Sequence, residues 1–496
     1  MKILKKPGLY ISIITFISII VLFYKVISIG VLPIKFLIPI IGIFAALFLI
    51  SAILWLKKTN ILLKIIACLI SLILFITSCV GSYYLYQTVD TLSSMTNETL
   101  KTKKVISVYA LKLSAVTSVD DLEGRKVGVL QNNNRENVDL CLSMTGKNVE
   151  VVEYTSSILM MNDFRGQAID CICMDQAYLP SIEEFDGLEN IEDEIRSIYD
   201  YTYYIENSEN TADEVDVTSE PFSILISGID TRTESFDDPD SRSDVNIVVT
   251  VNPQTRQVFM LSIPRDYYVT TVCDAADGCA NGQKDKLTHT GWHGVNTTEK
   301  TIENLLGIEI NYNVRVNFAT VTTLVDLLGG IEVDNPNEYD AQNGGGGYHF
   351  AAGRITLDGD MALSYARERY AFTSGDRERG RNQMRVMTGI LEKMISPAML
   401  SNFSGIMNSM ASFIQTNMNM DEIFAIVNKQ LDEGGSWTIS TYSLDGSGGT
   451  DYAYELGDYA YVMYPDQSTI DTAITDITLV LKGETPPYTT TQKTIG

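Results

Sequence analysis

The first 89 residues contain no aspartate, no glutamate and no arginine; eight lysines are their only charges. Without acidic side chains this stretch cannot build an ordinary solvated surface, and what it carries instead is long apolar runs. Residues 36–56 and 65–84 are uncharged, each long enough to cross a hydrocarbon core of roughly 30 Å. Residues 8–24 form a shorter run ending at Lys25, and no small-residue cleavage site follows it, which argues for a third span over a removed leader. The spans are predicted at about 8–28, 36–56 and 63–84, within a membrane region 1–86. Lys2, Lys5, Lys6, Lys57, Lys58 and Lys64 outnumber Lys25 and Lys35 in the alternate loop, so the positive-inside bias places the N-terminus in the cytoplasm and everything after about residue 86 outside the cell.

Basic charge is scarce in the remainder. The chain has 37 basic and 62 acidic side chains, and with eight lysines spent on the membrane region, 29 basic residues face all 62 acidic ones. Such a surface repels nucleic acid, so no nucleic-acid partner is expected, and arginines that cluster within it are held for a specific anion. Cysteine chemistry is limited as well: the seven cysteines are odd in number and include no CxxC pair. Cys68 and Cys79 fall in the third span, Cys141, Cys171 and Cys173 read as small buried hydrophobes, and Cys273 and Cys279, bracketing DAADG, are the pair expected to form a disulfide. Of three histidines, His289 and His293 form an HxxxH pair, but Gly291 and Gly294 weaken a helix there and no third acidic ligand has a recognised spacing, which argues against zinc. The glycine run 344–347 lacks the Lys-Ser/Thr of a phosphate-binding loop and reads as flexible. No serine or cysteine nucleophile with a positioned histidine and acid can be assembled.

Beyond the membrane, residues 87–102 are polar and predicted to be a stalk. Residues 103–205 alternate strand-like runs (105–111, 126–131, 149–154, 169–174) with helical segments, a small α/β accessory domain. Its phrases SVDDLEGRKVGVL and FRGQAIDCICMDQAYLPSI resemble one lobe of the type 2 periplasmic solute-binding proteins; with no room for a second lobe, a spacer or docking role is expected ahead of ligand sensing. An acidic linker follows at 206–220. Residues 221–483 are predicted to form an α/β domain with its core motifs at 221–400, and 484–496 a disordered tail. In that domain FSILISGID, VNIVVTVNP and QVFMLSIPR are successive strands, the last two joined by a turn. Helical windows at 299–306, 318–328 and 381–396, the last with an apolar face of Met384, Met387, Ile390, Leu391 and Met394, imply a sheet covered on both faces. The methionine-rich stretch 384–420 reads as core or as the lining of a groove for a long apolar tail.

The arginines stand on short cassettes in this domain. Asp230 ends one strand and Asp244 begins another; as neighbours they could share one hard divalent cation bridging to a phosphate. Arg242 precedes Asp244, and Arg265 follows a strand in IPRD beside Asp266. Arg367 and Arg369 in YARER lie two apart, on one side of an extended segment, each guanidinium able to fork onto phosphate oxygens. Asp376, Arg379 and Gln383 share one face of a helical turn near its N-terminus, where an anion also meets free backbone N–H groups.

Together these cassettes closely resemble the LytR-CpsA-Psr family over about residues 221–400, and three spans plus an accessory domain resemble its capsule-associated branch. The resemblance implies an α-β-α domain with a central mixed sheet, the isoprenoid tail of the donor held among apolar side chains and the pyrophosphate at the mouth. It implies Mg2+, with Mn2+ as the alternative, on Asp230 and Asp244. Pyrophosphate binding would fall to Arg242, Arg265, Arg367, Arg369, Arg379 and Gln383, and catalysis to Arg265, Asp266, Asp376 and Arg379, with Asp266 and Asp376 both open as the base. This chain departs from many members at Asn382, where they carry Arg, and at Thr288, where they carry Asn. The expected activity is phosphotransfer of a polyprenyl-pyrophosphate-linked glycopolymer, capsular or another wall polysaccharide, to peptidoglycan by a multi-pass protein of the bilayer. A hydrolase releasing polyprenyl phosphate to water and a non-catalytic receptor for lipid-linked glycans are the rivals. Transcriptional regulation is disfavoured, because no cytoplasmic segment here is large enough for a DNA-binding domain.

Overall fold

Three helices, Pro7–Ile29, Ile34–Leu56 and Ile61–Thr96, open the chain in a computed structural model that describes residues 7–30, 32–57, 59–96, 101–131, 134–206, 212–229, 236, 241–342, 347–396, 399, 403–410, 413–487 and 491–495. Each is long and apolar enough to cross a membrane, the third over Ile61–Gln87. They pack through small residues: Gly8 lies against the Trp55 ring, Gly81 against Leu22, and the Ser51 and Ser71 hydroxyls are 2.6 Å apart. They form the membrane anchor of the chain. The polar stalk expected at 87–102 is replaced in part by helix, which continues to Thr96, and the next strand already begins at Lys101. Once a helix is nucleated each further residue adds a hydrogen bond at little cost, and polar side chains do not stop it.

Residues 101–206 build a five-stranded mixed sheet in the spatial order Glu150–Tyr154, Lys126–Leu130, Cys171–Asp175, Lys101–Leu111, Ile195–Glu206. Four of these strands were expected. The fifth, IRSIYDYTYYIE, pairs antiparallel with the first in a register that sets Lys101 opposite Glu206, so the segment enters and leaves at one place. Cys141, Cys171 and Cys173 are buried in its core.

The larger sheet has seven strands in the order Ile414–Thr416, Tyr312–Asn317, Phe222–Ile229, Ser243–Asn252, Gln257–Ile263, Trp437–Ser443, Thr491–Ile495. Two neighbouring pairs are parallel and the rest antiparallel, which makes it mixed. Met384, Met387 and Leu391 of the helix Asp376–Met394 cover one face above Ile247, Val249 and Met260. The helices Val295–Leu306 and Gln467–Leu481 cover the other, with Ile302, Ile470 and Ile477 against Leu225, Val248 and Phe259. Burial on both faces explains why these strands read as continuous apolar runs without alternation. The tail expected to be disordered contributes Thr491–Ile495 as the last edge strand, in register with Trp437–Ser443. Its threonines and isoleucine suit a strand, and the open edge offers unpaired backbone groups.

The two sheets share a core. Trp292, Ala453, Leu456 and Ala460 of the larger domain pack among Tyr178, Leu179 and Ile182 of the smaller one. The Asp458 carboxylate also crosses over, accepting hydrogen bonds from Ser156 Oγ at 2.5 Å and Ile158 N at 3.0 Å at the N-terminus of the helix Ser157–Arg165. At the membrane, Ile29 packs with Met407, Phe424 and Val427, and Lys35 Nζ donates to the Leu431 carbonyl at 2.5 Å. The large domain thus rests on the turn joining the first two helices.

Candidate active site

Pairing of Ile229 with Ser243 brings the end of one central strand beside the start of the next, so Arg242 and Asp244 stand at the sheet edge where Ile229 closes its strand. Asp230 itself and the glycines 344–346 lie outside the described residues. Pro264 ends the strand Gln257–Ile263 and turns Arg265 inward beside them. The turn Leu287–His293 packs directly on this edge, and only a glycine fits at its contact. A Cβ on Gly291 would stand 2.3 Å from the Ser241 carbonyl oxygen and 2.4 Å from the Ser243 nitrogen.

Arg367 and Arg369 reach the site differently from expectation. Arg367 is the last residue of the helix Gly359–Arg367, whose Asp358 cap accepts from the Met361 N–H, and Glu368 turns the chain out of it. The amphipathic pattern from Met361 to Ala366 prevails over the extended reading of YARER. Both arginines still line the same cavity, the Arg367 guanidinium 4.4 Å from the centre of the Phe318 ring and the Arg369 guanidinium 4.7 Å from that of Tyr370. Asp376, Arg379 and Gln383 stand on the first two turns of the helix Asp376–Met394, as expected, with Asp376 and Arg379 ion-paired.

The result is a cavity of about 180 Å3 walled by Arg242, Arg265, Arg367, Arg369 and Arg379, with Gln383, Asp244 and Glu184. Five arginines face two carboxylates. Arg265 Nη1 donates to both oxygens of Asp244 at 3.1 Å, and the Thr288 hydroxyl donates to Oδ1 at 2.8 Å. Burial opposes the charge of Asp244, but Arg265, Arg242 and Arg379 together with Thr288 hold its carboxyl far below the usual carboxylate range. Burial and the neighbouring Arg265 act against the charge of Arg379, and its pKa is lowered despite Asp376. A site that compresses buried cations in this way favours an anion entering from outside. Asp266 lies just behind, 2.9 Å from Lys286 Nζ.

Three contributors were not expected. Lys286 and Thr288 stand in the cassette KDKLTHT, so a local signal existed. Glu184 comes from the accessory domain and had none. The histidine pair serves structure: His289 Nδ1 lies 2.6 Å from Asp285 and its ring stacks on Trp292, while His293 Nε2 lies 3.2 Å from Glu455. Cys273 and Cys279 are disulfide-bonded. Among the described residues no three His, Cys, Asp or Glu side chains gather as a metal site. Asp244 nevertheless fits a hard cation in donor chemistry, being ionised and oxygen-bearing, with Asp230 as the expected companion.

Residues 194–474 match the LytR_cpsA_psr family. The chain belongs to this family. The LytR_cpsA_psr match begins at Glu194, immediately before the last strand of the accessory sheet, and runs into the helix Gln467–Leu481. A relative from Enterococcus faecalis (strain ATCC 700802 / V583), named polyisoprenyl-teichoic acid--peptidoglycan teichoic acid transferase TagU, is 38% identical over 205 residues, 41% of this chain and 64% of its own length. The protein of the same name from Bacillus anthracis (strain CDC 684 / NRRL 3495) is 34% identical over 220 residues, 44% of this chain and 67% of its own. The chain thus spans about two thirds of these relatives. A crystal structure of B. subtilis TagV aligns with 54% of this chain and 99% of its own at 28% identity and a TM-score of 0.44.

Proposed function

We propose that this protein transfers a glycopolymer from a polyprenyl-pyrophosphate carrier to peptidoglycan at the external face of the cell membrane. The convergence of five arginines from four separate segments on one cavity carries the reading. Planar guanidiniums matched to phosphate oxygens, in a domain otherwise acidic, select a pyrophosphate. The names of the TagU relatives support a polyisoprenyl-linked donor and a peptidoglycan acceptor. Capsular polysaccharide is the polymer the three-helix anchor and accessory domain favour, and the accessory domain is read as one solute-binding-like lobe used for docking. Contact of the large domain with Gly30 and Lys35, at the junction of the first two helices opposite the lysine-rich ends, supports an outside location with the N-terminus in the cytoplasm.

In this reaction a sugar hydroxyl of the acceptor attacks the sugar-proximal phosphorus. A new P–O bond forms, the bond to the bridging oxygen breaks, polyprenyl phosphate leaves and the hydroxyl proton passes to a base. Asp266 and Asp376 both remain candidates for that base. Arg265, Arg367, Arg369 and Arg379 neutralise charge on the transferring and leaving oxygens, where most catalysis of phosphoryl transfer resides. Mg2+ or Mn2+ belongs to the same proposal, held by Asp244 and Asp230, and when bound would add charge neutralisation at the phosphates.

The test uses the full chain in lipid nanodiscs with a synthetic polyprenyl-pyrophosphate oligosaccharide, a peptidoglycan oligomer and Mg2+, the product followed by mass. Joining that is lost in Asp244→Ala and Arg367→Ala is expected. Release of polyprenyl phosphate without joining overturns the acceptor assignment in favour of a hydrolase, and binding without turnover overturns the enzyme.

A further inference from the structure

The anion cavity already holds an anion, and it comes from another domain. Glu184 lies just past the short helix Leu179–Ile182 of the accessory domain, outside the family match. Its Oε1 is 3.0 Å from Arg242 Nη1 and 3.4 Å from Arg265 Nη2, and its Oε2 is 3.2 Å from Lys286 Nζ. Two of these cations are the arginines flanking Asp244.

Three roles compete for such a carboxylate. As a general base it is ill suited: burial opposes its charge, yet Lys286, Arg265 and Arg242 hold its pKa down at about 2, too low to take a proton from a sugar hydroxyl. As a domain clasp it is redundant, because the domains are joined by the Trp292 core and by Asp458, and the Glu184 side chain keeps 37% of its surface open. What remains is its position as an acceptor of charge-assisted hydrogen bonds where phosphate oxygens would bind.

We propose that Glu184 is a resident anion of the donor site, occupying the Arg242–Arg265–Lys286 cradle until the donor pyrophosphate displaces it, so that the accessory domain sets donor affinity. This rests on the reading of the cavity as a pyrophosphate site. Because the domains are fixed by a buried core, displacement is a swing of one side chain, and its open surface gives it somewhere to go. Apparent affinity is then the intrinsic affinity reduced by the fraction of time the cradle is vacated. The same carboxylate returns after transfer and hastens departure of the polyprenyl phosphate.

The experiment is calorimetric titration of the full chain in nanodiscs with inorganic pyrophosphate. Glu184→Gln is expected to bind about tenfold more tightly than the wild type at an unchanged melting temperature, since a neutral amide competes poorly for guanidiniums. Glu184→Ala serves if the glutamine disturbs folding and is expected to show the same gain. Glu183→Gln removes an adjacent charge and is expected to leave affinity unchanged; an equal gain there assigns the effect to general electrostatics and overturns the displacement. Equal or weaker binding by Glu184→Gln overturns it too. If neither wild type nor variant binds pyrophosphate, the donor-site reading itself fails.

Discussion

Asp244 pins Arg265 with both oxygens while sitting among further arginines, so a single carboxylate fixes the geometry of the cation cluster as well as its net charge. A second acid shows how differently the fold treats a buried carboxylate whose neighbours are mostly acidic. Glu299, on the helix Val295–Leu306, accepts from Asn313 Nδ2 at 2.8 Å, but burial and the nearby Glu303 and Asp213 push its pKa up to about 7. Its folded-state pKa lies above the ordinary 4.5, so the native protein keeps a proton the unfolded chain has lost. Stability therefore falls as pH rises from about 4.5 to about 7, by up to about 1.4 kcal/mol per unit of displacement. Glu299→Gln, which keeps the acceptor oxygen, is expected to raise the melting temperature at pH 8 and leave it unchanged at pH 4; thermal melts at the two values check this.

Elements place the arginines, and the turn Leu287–His293 places the element that carries Arg242. Gly291 seats that turn so close to Ser241 and Ser243 that an added Cβ would collide with their backbone, and any side chain forces the strand start outward. Gly291→Ala is accordingly expected to weaken pyrophosphate binding at least about tenfold by displacing Arg242 from the cavity wall, with titration of the full chain as the measurement. Much of this arrangement was legible in the sequence, because each cassette is local: Arg265 follows a strand in IPRD, and Arg379 falls one turn after Asp376. Two kinds of information were not. The end of YARER is decided by an amphipathic helix begun at Gly359, so the local extended reading lost to a longer pattern. Glu184 meets Arg242 and Arg265 across 58 and 81 residues of chain and from a different sheet, and nothing in SIEEFD marks one glutamate above the next. The edge strand Thr491–Ile495 escaped for a similar reason, since its partner is supplied only by the finished sheet.

For the molecule as a whole, the anchor packs on the large domain and the large domain on the accessory one, and the sidedness of this unit can be measured. With the five free cysteines replaced and the disulfide kept, Asp186→Cys, exposed on the accessory domain, is expected to react with a membrane-impermeant thiol reagent on intact cells. Lack of labelling in cells, with labelling after lysis, would place the domain inside. The seat of the large domain on the turn between the first two helices has a further consequence. A large domain hydrogen-bonded to Gly30 and Lys35 is held against the anchor and not hung on a free tether. Under the proposed function, donor and acceptor would therefore meet close to the anchor, and the wall would have to approach the membrane to be decorated.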